Sequence, residues 1–231
     1  MGQKAVLSAI VGSVLVLVAG CASSSSQEED KAYTPHINPA DFTTTIDNEY
    51  FPMKPGTTFV YEGGGAEHSE MTVTHDTKKV MGVECVVVED IEWEGDMLIE
   101  RTYDWFAQDK EGTVWYFGED TKEYENGKVV STKGSWEAGV DGAKPGIIMQ
   151  AHSKVGQSYR QEYYPGEAMD TARVLSHNAA VTVPYGSFDH ALETKEWTPL
   201  QPGFSERKYY ARGVGPLGNP ADLGLVAVKH H

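Results

Sequence analysis

Glu100, Asp104 and Glu119 lie in two alternating runs, Met97–Gln108 and Thr113–Glu119, joined by the turn Asp109-Lys110-Glu111-Gly112. A turn of those four residues sets Gln108 against Thr113, and then Phe106 against Trp115, Asp104 against Phe117 and Thr102 against Glu119. Cross-strand and diagonal neighbours share a face of a sheet, so this register makes Glu100 and Asp104 the diagonal neighbours of Glu119. Three carboxylates then converge around Thr102. The preceding run, Val83–Trp93, turns at Glu94-Gly95-Asp96 and brings Glu89 or Asp90 beside Glu100, depending on a one-residue choice of register. Leu98, Phe106, Trp115 and Phe117 fall on the same face, so the acids are interleaved with large apolar groups.

Like charges on a partly dry face repel, and something must compensate them. Three compensations are open. Ca²⁺ or another hard cation takes carboxylate and hydroxyl oxygens, and Glu100, Asp104, Glu119, Asp90, Glu89 and Thr102 are the candidate ligands. An arginine or lysine from another strand is the second, with Arg101, Arg160, Arg173 and Arg207 as candidates, although Arg101 alternates to the opposite face. Plain exposure of the acids to water is the third. Further acids follow at Glu162, which alternates with tyrosines on an expected strand, and at Glu167 and Asp170 around the turn Pro165-Gly166. A turn carboxylate often does no more than accept local backbone amides, and Asp141-Gly142 has the same reading. None of these segments has EF-hand spacing.

Familiar catalytic arrangements are missing. Ser135 lies in Gly-Ser-Trp-Glu-Ala-Gly, without the Gly-x-Ser-x-Gly spacing of a nucleophile elbow. Cys85 sits among valines in mid-strand, where a buried inert thiol is the expectation. The histidines show no metal-binding spacing apart from the terminal pair, and no glycine-rich phosphate loop or Cys-x-x-Cys occurs. Five tryptophans and twelve tyrosines are enough for a binding surface, but in a sheet such residues are normally core.

The elements that must position these groups are strands. Short alternating runs bounded by Gly, Pro, Asn and Asp fill the chain beyond Ile37, including Thr57–Tyr61, Glu70–Thr74, Lys128–Ser131, Ser158–Tyr164, Ala172–Val183, Ala191–Trp197, Arg207–Arg212 and Leu223–Val228. The pattern predicts an all-β, antiparallel meander forming a sandwich or a curved half-barrel sheet. Asn38-Pro39-Ala40-Asp41-Phe42 predicts one short helical start, with Asn38 as its cap. From Gly134 to His152 the connection is too long for a hairpin and carries Trp136, Ile147, Ile148 and Met149. Disordered loops seldom keep so many apolar groups, so an ordered loop over the sheet is expected, with Trp136, Asp141 and Met149 as candidate lid or ligand contacts beside Glu162, Glu167 and Asp170.

The N-terminus adds an address. Lys4 precedes an apolar stretch from Ala5 to Ala19 and the tetrad Val18-Ala19-Gly20-Cys21. That is the layout of a signal peptide, and the stretch is shorter than the roughly 20 residues a membrane span needs. The tetrad resembles the lipobox of bacterial lipoproteins, which implies cleavage before Cys21 and attachment to a lipid bilayer through that acylated cysteine. The expected organisation is a signal peptide over 1–20, a lipidated flexible tether over 21–36 and one β-rich domain over 37–231. Ala22, where inner-membrane lipoproteins carry Asp, implies by the same resemblance a cell-envelope location at the outer membrane in a Gram-negative host. Removal of residues 1–20 takes away Lys4 and no acid, so the net charge moves from −15 to −16. This argues against nucleic acid and for a cationic partner. With Cys21 acylated, Cys85 has no partner for a disulfide.

Asp104-Trp105-Phe106-Ala107-Gln108-Asp109, Val114-Trp115-Tyr116-Phe117-Gly118-Glu119, the segment Asn48 to Gly56 and the segment Lys208 to Gly215 resemble a family of exported bacterial lipoproteins with no activity to carry over. The likeness spans about Ile37 to the C-terminus. The last of these segments is also similar to the closing strands of periplasmic lipoprotein-carrier-like curved sheets. The expected function is a non-enzymatic, lipid-anchored protein that binds a cationic or small-molecule ligand, Ca²⁺ among the candidates, at the acidic face. A carrier for an apolar or lipid cargo is the alternative, and a carboxylate-dependent hydrolase using Glu100 and Glu119 is a third.

Overall fold

Short turns, many with glycine in a left-handed conformation, separate fifteen strands in the computed structural model, which describes residues 33–231. The export signal, Cys21 and most of the expected tether lie outside the described residues. In chain order the strands are β1 (Phe42–Thr43), β2 (Thr57–Gly63), β3 (Glu67–Val80), β4 (Val83–Glu94), β5 (Met97–Asp109), β6 (Val114–Glu125), β7 (Lys128–Ser131), β8 (Trp136–Glu137), β9 (Gly146–Met149), β10 (Ser158–Arg160), β11 (Thr171–Val183), β12 (Gly186–Trp197), β13 (Glu206–Ala211), β14 (Gly215–Asn219) and β15 (Leu223–His230). The all-β class and the antiparallel meander are as the alternation predicts. No α-helix occurs among the described residues. The expected helical start is a single 3₁₀ turn, Pro39–Asp41, with the Asn38 side chain accepting from the Ala40 amide.

β10 to β15 pair in sequence order, β15 then pairs β2, and β2 to β7 follow in sequence order, all antiparallel. The β15–β2 ladder joins segments from opposite ends of the described chain, with His230 opposite Thr57. The sheet curves without closing into a barrel. At the open seam the Gly134–His152 loop is ordered, as its apolar residues predict: β8 and β9 both add to β6, and the Lys144 amide donates to the Tyr163 carbonyl at 2.8 Å, beyond β10. Alternate residues bury Phe59, Tyr61, Val73, Leu192, Leu217 and Leu225 almost completely, each contributing about 1.5–3 kcal/mol of apolar burial.

Three local differences from the expected elements matter below. Ser158–Tyr164 is a strand only as far as Arg160; there the chain bends, because the amides of Gln161 and Glu162 both donate to the Asp170 carbonyl. β14 reads as turn punctuation, yet it pairs between β13 and β15. Tyr33, assigned to the tether by its polar surroundings, docks on the domain: its hydroxyl donates to the Pro145 carbonyl at 2.8 Å, its carbonyl accepts from Lys144 Nζ, and its ring lies 5.2 Å from that of Tyr163.

Candidate functional site

The register of β5 and β6 decides which acids meet. Gln108 faces Val114 and Phe106 faces Tyr116, one residue off the expected pairing. The Asp109 carboxylate explains the slip, since it accepts from the Glu111 and Thr113 amides and from Trp115 Nε1 and so draws Thr113 into the turn. Further along, Trp105 opposes both Phe117 and Gly118, and Asp104 then faces Glu119 directly. This is a β-bulge. Gly118 has φ +131°, and a β-carbon there would lie 2.2 Å from the Trp136 carbonyl oxygen, so glycine is required for both the bulge and the approach of β8.

The bulge reverses the alternation of β6. Val114 and Tyr116 precede it and Glu119 and Thr121 follow it on one face, while Trp115 and Phe117 turn to the other, where both rings meet Phe42 edge-on. The expectation that Trp115 and Phe117 share the acids' face is therefore corrected. The Glu119 side that faces inward also carries Phe106, stacked on Tyr116 at 4.8 Å.

The inward face encloses a cavity of about 110 Å³, lined by the carboxyls of Asp90, Asp104, Glu119, Glu162, Asp170, Glu196 and Glu206, with Lys208 as its one basic group. Phe51, Phe106, Tyr116, Trp197 and Phe204 supply aromatic wall. Asp90 faces Thr102 across β4 and β5, and accepts from the Ser69 hydroxyl at 2.9 Å. Glu162 comes from the bend after β10, held against β9 because Gly146 has no β-carbon to strike the Gln161 carbonyl, which would lie 1.9 Å away.

Two halves of the cavity differ in charge. In one, Lys208 Nζ lies 3.0 Å from Glu196 and 3.3 Å from Glu206, and Glu196 also accepts from Thr194 at 2.8 Å and Tyr210 at 3.1 Å. Burial opposes the charge on Lys208, but the two glutamates outweigh it and hold its pKa well above the ordinary value. In the other half no ion pair to a cation is formed among the described residues, and Lys208 acts on Asp104 and Glu162 only from the far side. The Tyr116 hydroxyl lies between Asp104 and Glu119, 2.8 Å from Glu119 Oε2 and hydrogen-bonded to Asp104 Oδ1. Glu119 Oε1 and Glu162 Oε2, on residues only 2% and 3% exposed, have no hydrogen-bond partner among the described residues.

Burial is the main cause that raises these carboxyls: Asp90 to about 7, Asp104 to about 8 and Asp170 to about 6, with Glu119 and Glu162 well above the carboxylate range. Neighbouring acids add to it, Glu162 and Asp104 acting on Glu119. Lys208 and a hydrogen bond from Thr198 restrain Asp170. The Tyr116 phenol is also pushed well up by burial, then by Asp104 and Glu119, so it keeps its proton. A phenol has a single proton to give; between two carboxyls at hydrogen-bond distance, one contact must run the other way, from a protonated carboxyl to the phenol oxygen.

Of the residues expected at the site, Asp90, Asp104, Glu119, Glu162 and Asp170 come together. Glu89 does not: it is on the outer face, accepting from Tyr103 at 2.8 Å and pairing with Arg101 at 3.4 Å. Glu100 faces Glu123 and Glu92 and accepts from Thr102 at 3.1 Å outside the cavity lining. Thr102 is buried against Thr121, their hydroxyls 3.0 Å apart, and is not a wall residue. Trp136 backs the wall, with its ring edge-on to Tyr116 at 5.2 Å, while Met149 is fully buried behind it. From the loop, Ile148 alone reaches the cavity. Asp141 is exposed, and Glu167 stays on its turn. The expected arginines lie elsewhere: Arg207 pairs with Glu193, Arg160 approaches the rings of Tyr33 and Tyr163, and Arg173 is exposed.

Lys208, Glu196, Glu206 and Tyr116 were not singled out by the sequence. Their one local signal is the spacing Glu206-x-Lys208 and Thr194-x-Glu196, two residues apart on one strand face; that this face meets the β5–β6 acids is non-local. No group of three or more His, Cys, Asp or Glu side chains among the described residues is arranged to hold a metal ion, so the ligand set expected for Ca²⁺ is not assembled. Comparison with protein families, with curated proteins and with solved structures finds no match.

Proposed function

We propose that this protein is a lipid-anchored, extracytoplasmic binding protein whose curved sheet takes a small organic cation into the acidic cavity. The observation that carries this reading is the imbalance of the lining, in which buried carboxyl oxygens on Glu119 and Glu162 have no partner while the one lysine is engaged at the other end. Buried polar groups without partners cost free energy, and a cation supplies what they lack. Aromatic walls suit the same ligand, because ring faces attract cations. An acyl chain would leave the carboxyls dry and unpaired, which favours a cation over an apolar cargo.

The lipobox-like tetrad ending at Cys21 supports a site of action at the cell envelope, and Ala22 after it supports the outer membrane in a Gram-negative host. Native mass spectrometry of the protein extracted from its own membrane tests both parts. The expected spectrum shows a diacylglyceryl-modified N-terminal cysteine and a small amine-bearing adduct that leaves on mild activation. Protein that carries no adduct, and whose melting temperature is unmoved by a panel of organic amines, would refute the cation reading.

A further inference from the structure

We propose that the ligand is a primary ammonium, recognised through its N–H groups by Glu119 Oε1 and Glu162 Oε2, and that it enters in exchange for the carboxyl proton held in the Asp104–Tyr116–Glu119 trio; this rests on the cation reading above. Three observations carry it. The two unpartnered atoms are carboxyl oxygens, and the unprotonated oxygen of a carboxyl accepts whether the group is neutral or charged; both belong to side chains that line the cavity and are nearly inaccessible. They ask for N–H donors, which a quaternary ammonium does not have. Lys208 shows the same chemistry within the chain, because its ammonium sits between Glu196 and Glu206 at the far end at 3.0 and 3.3 Å. On this reading the cavity has two ammonium positions, and Lys208 fills one of them.

The exchange follows from the geometry of the trio. Tyr116 lies between Asp104 and Glu119, and a single phenolic proton leaves the second contact to a protonated carboxyl. The groups facing the trio are Asp90 from β4, Glu100 from β5, Glu162 and Asp170 from either side of the bend, and Lys208 with its two glutamates from β12 and β13. Apart from Lys208 all of these are acids, so the trio has no cation of its own and keeps a proton instead. An arriving ammonium brings one positive charge to the same place. The proton leaves to solvent, the charge of the cavity is unchanged, and the phenol donates to the newly ionised carboxylate.

The experiment is isothermal titration calorimetry near neutral pH with n-butylammonium and tetramethylammonium, cations of equal carbon count that differ in N–H groups. Each is run in two buffers of different protonation enthalpy that are not primary amines. Binding of n-butylammonium with release of about one proton, and at least about tenfold weaker binding of tetramethylammonium, are expected. Glu119→Gln and Glu162→Gln keep the size of a neutral acid; with folding verified by thermal unfolding, each is expected to weaken n-butylammonium by about tenfold or more. Equal binding of the two cations, or binding without proton release, overturns the inference while the cation reading stands. If neither cation binds, both fall.

Discussion

Asp90 makes the charge state of the cavity measurable without a ligand. Its carboxyl is raised from an ordinary 3.8 to about 7, chiefly by burial. Between those values the folded state keeps a proton that the unfolded chain has released, so stability is fully present below about 4 and is lost as pH rises through about 7. The slope from one such group is about 1.4 kcal/mol per pH unit. From about pH 5 to pH 7, where the slope halves at the folded pKa, it amounts to about 2 kcal/mol, or about 4–8 °C in melting temperature for a domain of this size. Asp90→Asn removes the titration and leaves an oxygen to accept from Ser69. Thermal unfolding of both proteins across this range is expected to show the native protein losing stability with rising pH and the variant losing less, by about 2 kcal/mol over the same interval. Subtraction cancels the histidines, which are common to both. Parallel curves, or a native protein that gains stability from pH 5 to pH 7 relative to the variant, would refute the argument that Asp90 folds as a neutral acid.

Other perturbations test the parts that build the site. Gly118→Ala places a β-carbon against the Trp136 carbonyl and is expected to cost about 3 kcal/mol or more in urea unfolding; an unchanged midpoint would mean that the bulge is not strained by a side chain. Lys208→Met leaves Glu196 and Glu206 without their cation, with an expected loss of about 3–5 kcal/mol at neutral pH. Acidification should shrink that deficit as Glu206, whose carboxyl burial raises, takes up a proton, and a deficit independent of pH would point to lost packing instead. Cys85 is fully buried and its thiol is pushed up to about 12, first by burial. A thiol reagent at mildly alkaline pH is therefore expected to label it only on unfolding, and rapid labelling of the folded protein would contradict the burial.

The unequal legibility of the two acid groups has a physical cause. Asp90, Asp104 and Glu119 belong to consecutive hairpins, so short turns bring their strands together, and local alternation nearly suffices to align them. It fails by one residue at the Asp109 turn and by another at the Gly118 bulge, because a side chain capping a turn or a glycine at positive φ costs little and leaves little trace in the hydrophobic pattern. Those two slips decide whether Glu119 faces Thr102 or Asp104. Glu100 keeps the face of Asp104 and acts on Asp90, Asp104 and Glu119 from outside the cavity lining, and the choice left open between Glu89 and Asp90 falls to Asp90, opposite Thr102. Glu196, Glu206 and Lys208 are a different case, since their strands reach the acids only through the curvature of the whole sheet and the pairing of β15 with β2.

The sequence by itself determined that the chain is an antiparallel meander, where most of its strands run, that the long loop is ordered, and that acids recur along one stretch of it. These follow from a period of two residues and from turn chemistry, both local properties that each segment carries alone. Only the tertiary structure decided which acids face one another, that the basic group among them is Lys208 and not one of the named arginines, and that the face is a cavity wall where Glu119 and Glu162 form no ion pair among the described residues. Those outcomes depend on register to a single residue and on contacts between distant strands, where burial, and no local preference, sets the free energy.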